Sequence, residues 1–223
     1  MKNLVIVGTS HIAKQSVEDV TAAINSHMPA IVALELDHGR LENLLHPARQ
    51  RMSFRDVFKV GVKGWLFAQL GAWAERALGK HVGASPGQEM LAAVKLARKQ
   101  RIPIALIDQN IVTTLKRFSR KITWTEKARF VFDILKAALF RRRFEFDLRT
   151  VPSKKLVEKL TEQLRLRYPN IYRVLVAERN QVMALNLARI MQHHPDKKIV
   201  AVVGAGHEEE LINLVEKRLR QIT

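Results

Sequence analysis

The sequence predicts an α/β fold: a mixed or mostly parallel sheet flanked by helices, with a large helical insertion. Three observations carry this expectation. Short apolar runs rich in β-branched residues occur near both ends of the chain, and each leads into a stretch with helical spacing. Histidines or carboxylates follow the ends of the expected strands: His11, Glu35, Asp108 and His207. Between the outer α/β units lies a long region, roughly 111–194, that reads as helical.

Leu4-Val5-Ile6-Val7 is the first strand. Ala13, Val17, Val20, Ile24 and Met28 then fall at helical steps, and Pro29 ends that helix. Ala30-Ile31-Val32-Ala33-Leu34 is a second buried strand, running into Glu35-Leu36-Asp37. Such a β-α-β unit is right-handed and parallel by default. Residues 53–79 are helical and unusually apolar, with Trp65 and Trp73 among them, and read as a helical hairpin broken near Gly61 and Gly64. A partner-binding or membrane-lying surface is the sharper alternative there. A loop from Gly79 to Gly87 follows, then a helix from Glu89 to Gln100 and a third strand, Pro103 to Ile107, ending at Asp108. The helical region has turns near Pro152 and Pro169. The last unit is strand 199–203, a turn containing His207, and a closing helix to about Arg220. No linker-like composition divides the chain, so residues 1–223 read as one domain with an insertion over approximately 111–194.

Composition bounds the function. With no cysteine, thiol catalysis and zinc–thiolate sites are excluded, and a reducing compartment fits. Neither a signal peptide nor a membrane span of about 20 apolar residues is expected, so the reading is cytoplasmic. The formal net charge is +17, concentrated between Lys116 and Arg149 with Arg141-Arg142-Arg143 at its densest point. A solvated basic face, or peripheral contact with an anionic membrane surface, suits this better than nucleic acid, for which no recognisable motif is present.

The residues that carry chemistry cluster at strand ends. Two Gly-x-x-His turns, Gly8-Thr9-Ser10-His11 and Gly204-Ala205-Gly206-His207, each follow a strand and precede a helix. A single histidine after a strand is more often a cap or hydrogen-bonding group than a ligand; two in matching positions favour a shared site. With Glu35 and Asp108 after the second and third strands, all four side chains are expected at the carboxyl edge of the sheet, where open α/β sheets bind ligands. Histidines with carboxylates suit a divalent metal such as zinc, manganese or cobalt. Gly8-Thr9-Ser10-His11 lacks the Lys-Ser/Thr of a phosphate loop, and Glu208-Glu209-Glu210 would repel a pyrophosphate, so nucleotide binding is disfavoured. There is no Gly-x-Ser-x-Gly elbow and no His-Glu-x-x-His zinc helix. By itself, Glu178-Arg179-Asn180 reads as a solvated helix start, and Arg40 has the same status. His193 and His194 read as a helix C-terminal cap.

Six segments in order resemble the TraB/PrgY (pheromone-shutdown) family. They are Gly8-Thr9-Ser10-His11; Ala33-Leu34-Glu35-Leu36-Asp37 with Arg40; Pro86-Gly87-Gln88-Glu89-Met90; Leu106 to Ile111 with Thr114-Leu115-Lys116-Arg117; Glu178-Arg179-Asn180 with Met183-Ala184; and Val202 to His207. The resemblance covers nearly the whole chain and implies kinship with the Tiki proteases, regarded as metal-dependent peptidases using two Gly-x-x-His motifs and a glutamate. Carried over, His11 and His207 are the motif histidines and Glu35 their acidic partner, while Arg40, Glu89, Arg117, Glu178 and Arg179 line the same cleft. The PrgY branch is associated instead with reducing pheromone peptide activity by binding, blocking or degrading it. Asn180 stands where an acidic residue is frequent, and Gln109-Asn110 replaces a more charged pair. Longer relatives carry C-terminal membrane helices.

Together these readings give a metal-dependent hydrolase acting on a peptide or small molecule. His11, Glu35 and His207 hold a divalent ion (manganese, cobalt or zinc). Glu178 is the general base, and Arg40 and Arg179 bind a carboxylate or a developing oxyanion. Glu89, Asp108, Arg117 and Asn180 contact substrate. The alternative is a peptide-binding or sequestering protein at the membrane surface that never turns over.

Overall fold

A computed structural model describes residues 3–9, 14–46, 87–139 and 154–221. His11, the apolar segment 53–79 with its tryptophans, and Arg141 to Arg143 lie outside the described residues. The elements are β1 (Leu4–Thr9), α1 (Lys14–His27), β2 (Ile31–Leu34), α2 (His38–Leu45), α3 (Gln88–Lys99) and β3 (Ile104–Leu106). They continue with α4 (Ile111–Lys121), α5 (Trp124–Leu139), α6 (Lys154–Arg167), α7 (Pro169–Tyr172), a π turn (Arg173–Ala177), α8 (Glu178–His193), β4 (Ile199–Gly204) and α9 (Ala205–Arg220).

The four strands form one sheet in the order β1-β4-β2-β3, and every pairing is parallel. The fold class expected from the sequence is therefore correct, and the sheet is wholly parallel. The last strand inserts between the first two: Leu4 pairs with Ile199 on one side, and Ile31 pairs with Ile199 on the other. This central position explains why all of Ile199–Gly204 is buried and why the run is continuously apolar.

Alternate strand residues face opposite layers. Val32, Leu34, Val200 and Val202 pack against Val20 and Ile24 of α1 and Met90, Ala93 and Val94 of α3. Ile31, Ala33, Ile199, Ala201 and Val203 pack against Met183, Ala184 and Leu187 of α8 and Leu211 and Val215 of α9. The segment 111–194 thus contains a helix, α8, that forms part of the main core. A smaller cluster, Phe118, Ile122, Ile171 and Val174, joins α4 to α7 and the π turn.

Side chains start several helices. Asp37 caps α2, accepting from the backbone N–H of Gly39 (2.8 Å) and Arg40 (3.1 Å). Asn110 caps α4 by accepting from Val112 N–H at 2.8 Å. Thr123 and Glu126 form a reciprocal capping box at α5, and Pro169 occupies the first turn of α7. His193 and His194 close α8, with the His194 N–H donating to Ile190 O. No helix among the described residues is long and apolar enough to cross a membrane.

Candidate functional site

The helices following β1 and β2 pack on one face of the sheet and the helix following β4 on the other. That change of side opens a crevice beside the end of β4, the usual ligand position in a parallel α/β sheet. Residues just past the strands remain tied to it. Glu35 N–H donates to Val202 O (3.0 Å), Ile107 N–H to Leu34 O (3.0 Å), and Asp108 N–H to Leu36 O (3.3 Å). Backbone bonds therefore deliver the Glu35 and Asp108 carboxylates to the crevice, and the first turn of α9 delivers His207.

Arg179 joins them. Its guanidinium bonds Glu35 through Nη2 and Asp108 through Nε (3.1 Å to each oxygen) and Nη2. Nη1 lies 3.2 Å from His207 Nε2 and donates to Leu175 O at 3.1 Å. Burial opposes the charge on Arg179, but Glu35 and Asp108 outweigh it and hold its pKa above the ordinary arginine value. Glu35 has two more neighbours: Gly204 N–H donates to Oε2 at 2.6 Å, and His207 Nε2 lies 3.4 Å from Oε1.

The network extends both ways. Arg40 reaches Asp108 through Nη2 and Asp37 through Nε (2.9 Å), while Asp37 also accepts from Ile111 N–H at 3.1 Å. On the other flank, His207 Nδ1 is 2.6 Å from Asn180 Oδ1. Asn180 Nδ2 donates to Glu210 Oε2 at 2.8 Å, and Tyr172 O–H donates to the same oxygen at 3.0 Å. Burial and the Glu210 carboxylate push the Tyr172 pKa up to about 12, so the phenol remains a donor.

Glu35, Arg40, Asp108, Arg179, Asn180 and His207 are thus brought together. Glu178 and Arg117 form a neighbouring branch with Lys121. Arg117 bonds Glu178 at 3.0 Å and the side chain of Gln109, the residue after Asp108, at 3.2 Å. Burial raises the Glu178 pKa, but the hydrogen bonds from Lys121 and Arg117 prevail and hold it below the ordinary range. Arg117 and Lys121 thus engage the carboxylate expected from the sequence to be the general base. Arg40 likewise spends its guanidinium on Asp37 and Asp108. Glu89 is 2% exposed in the first turn of α3.

Beside His207 lies a cleft of about 810 Å³. Gly8, Ala205 and Gly206 from the two strand ends line it, with Tyr172 and the carboxylates Glu158, Glu162, Glu208, Glu209 and Glu210. Arg165, also on its wall, pairs with Glu162 at 3.0 Å. In a chain of net charge +17 this is an acidic exception. Gly8 and Glu208 approach closely: a Cβ at Gly8 would stand 2.2 Å from Glu208 Oε2, the movable end of that side chain.

Sequence reasoning missed Tyr172 and Glu210. A signal existed for Glu210, since it lies three residues after His207 and so on the same helical face. No pattern marks the π turn that carries Leu175 O to Arg179; such turns frequently accompany functional sites.

Comparison with known proteins agrees with the motif order. The model of the TraB/PrgY/gumN family matches residues 2–222. An uncharacterized protein of Methanocaldococcus jannaschii is 33% identical over 217 residues, covering 96% of this chain and 54% of that protein. A TraB domain-containing protein of Homo sapiens is 25% identical over 228 residues, covering 91% of this chain and 60% of its own length. The Mus musculus protein of that name is also 25% identical. The chain spans between half and two thirds of these relatives.

Proposed function

The chain belongs to the TraB/PrgY/gumN family, and we propose that it is a metal-dependent hydrolase of peptides, acting at the carboxyl edge of its sheet. The observation that carries this reading is that Glu35 Oε1 and His207 Nε2 lie 3.4 Å apart around a point now held by the Arg179 guanidinium, whose charge a bound cation would replace. That spacing suits two ligands of one ion, and the donor types suit zinc, manganese or cobalt.

Among the described residues no group of three or more histidines and carboxylates is arranged to hold a metal. The third ligand in this reading is His11. The strand that precedes it in sequence ends beside the one that precedes His207, because Gly8 and Thr9 pair with Val203 and Gly204. A divalent ion bound by His11, Glu35 and His207 would supply Lewis acidity toward a carbonyl and lower the pKa of water. With Glu35 engaged by such an ion, Arg179 would remain held by Asp108 and could offer guanidinium N–H groups to a substrate carboxylate or a developing oxyanion. Arg40 holds Asp108 and Asp37 in place. The glutamate-lined cleft selects a substrate with a cationic end, such as a peptide ammonium or a basic side chain.

Elemental analysis and titration with manganese, cobalt and zinc test this reading on wild type and His11→Ala/His207→Ala. The expected result is near-stoichiometric metal in wild type, lost in the variant, with hydrolysis of basic peptides only in the loaded protein. Absence of both metal uptake and metal-dependent stabilisation in wild type overturns it. One observation favours a second reading, a peptide-binding module without turnover: Arg179 already neutralises Glu35 and Asp108, and the cleft needs no metal to attract a cation. Saturable binding of a basic peptide by metal-free protein, without cleavage at any metal concentration, supports that alternative.

A further inference from the structure

His207 faces two kinds of neighbour. On the sheet side, Nε2 lies near an obligate donor, Arg179 Nη1 at 3.2 Å, and an obligate acceptor, Glu35 Oε1 at 3.4 Å. That side permits either a lone pair or a proton on Nε2. The other side is not ambiguous. A carboxylate only accepts, so Asn180 must present its NH₂ group to Glu210, at 2.8 Å. The amide oxygen is thereby turned toward His207 Nδ1, at 2.6 Å. A carbonyl oxygen only accepts, so Nδ1 carries the proton.

We propose that Glu210 is a positioning residue that sets the tautomer of His207 through Asn180, fixing the proton on Nδ1 and leaving Nε2 as the atom that binds or exchanges. Asn180 is the enabling residue. It is fully buried and must donate on one side while accepting on the other, which an aspartate could not do beside Glu210. Tyr172 O–H, donating to Glu210 at 3.0 Å, seats the carboxylate that orients the amide. The role given to Nε2 rests on the proposed function. The tautomer does not, because it is a property of the metal-free protein.

The test is a long-range proton–nitrogen correlation spectrum of the imidazoles in metal-free protein, with His207 assigned by the signal lost in His207→Gln. In wild type, neutral His207 is expected to show a protonated Nδ1 and an unprotonated, pyridine-type Nε2. In Glu210→Gln the residue at 210 can donate as well as accept, so Asn180 is free to turn over. The ratio of the Nε2–H form to the Nδ1–H form is then expected to rise roughly tenfold, the worth of a charge-assisted hydrogen bond. Tyr172→Phe keeps the charge at Glu210 and is expected to keep the wild-type form. A wild-type spectrum with the proton on Nε2 overturns the proposal, even if the variants fail to fold. So does an unchanged tautomer ratio in folded Glu210→Gln, or a reversed one in Tyr172→Phe. Failure to bind metal alongside the expected tautomers would overturn the metal reading and leave this inference standing.

Discussion

Glu35 and Glu126 are each 4% exposed, yet their partners differ in kind. Glu126 accepts from neutral donors on two chain segments. These are the Thr123 N–H (3.2 Å) and hydroxyl (3.3 Å) at its own helix start, and the backbone N–H (2.8 Å) and side-chain amide (3.0 Å) of Asn170. Glu35 is met by a guanidinium from α8, an imidazole from α9 and a strand-end N–H from β4. One carboxylate completes two helix termini. The other is a node in a network of charges drawn from distant parts of the chain. Burial of an acid therefore does not mark a site by itself; charged partners converging from several elements do, because each must be held against its own tendency to hydrate.

The largest effect that separates the two regions is expected on removing Arg179. Arg179→Met leaves Glu35 and Asp108 buried without their shared cation, at a cost of about 3–5 kcal/mol in urea unfolding. Arg179→Lys restores charge without the planar fork and should recover only part of that loss. A change in Arg179→Met no larger than that of a surface mutant would remove the distinction drawn here.

Glu126→Ala is expected to cost about 1–2 kcal/mol, the worth of a lost cap with unsatisfied backbone donors. The same variant should leave metal uptake and the His207 tautomer unchanged. A shift in either would mean that the two regions are coupled.

The pH dependence sharpens the contrast further. Burial raises the Glu126 pKa, but its hydrogen bonds from Asn170 and Thr123 outweigh burial and lower it from the ordinary value of 4.5. A depressed folded-state pKa contributes stability that is complete above 4.5 and is lost as pH falls through the folded value. Urea midpoints of wild type and Glu126→Gln should thus differ most near neutrality and converge in acid. A gap that widens on acidification would reverse the assigned sign.

The smallest effect is expected at Gly8. The contact barring a Cβ is the far end of the Glu208 side chain, so Gly8→Ala should cost no more than about 1 kcal/mol. Its consequence is local: Glu208 is displaced in the cleft, and affinity for a basic peptide changes while metal uptake is retained. Unaltered peptide affinity would remove Glu208 from the cleft's recognition surface.

Much of the architecture was legible from local pattern. The β-branched runs 31–34 and 199–203 announce buried parallel strands because a strand covered on both faces has no polar side to alternate with, and the similar run 4–7 forms the partly buried edge strand beside them. Asp37 and Asn110 have the chemistry of helix caps, but that role emerged only with the structure. Glu35, Asp108 and His207 follow from strand ends alone, since parallel strands deliver their carboxyl termini to one edge. By themselves Arg179 and Asn180 read as a solvated helix start, and only the resemblance gives them a role, because a charged residue at a helix start looks the same in sequence whether it meets water or a buried carboxylate.

Sequence alone thus determined the α/β class, the identity of the sheet's apolar strands and the meeting of Glu35, Asp108 and His207 at the carboxyl edge, because these depend on local periodicity and on the handedness and direction of short units. Only the tertiary structure decided that β4 lies between β1 and β2, that Arg179 fills the space between Glu35 and His207, and that Tyr172 and Glu210 stand behind Asn180. Those facts depend on which residues, far apart along the chain, compete for the same few ångströms, and periodicity holds no record of that competition.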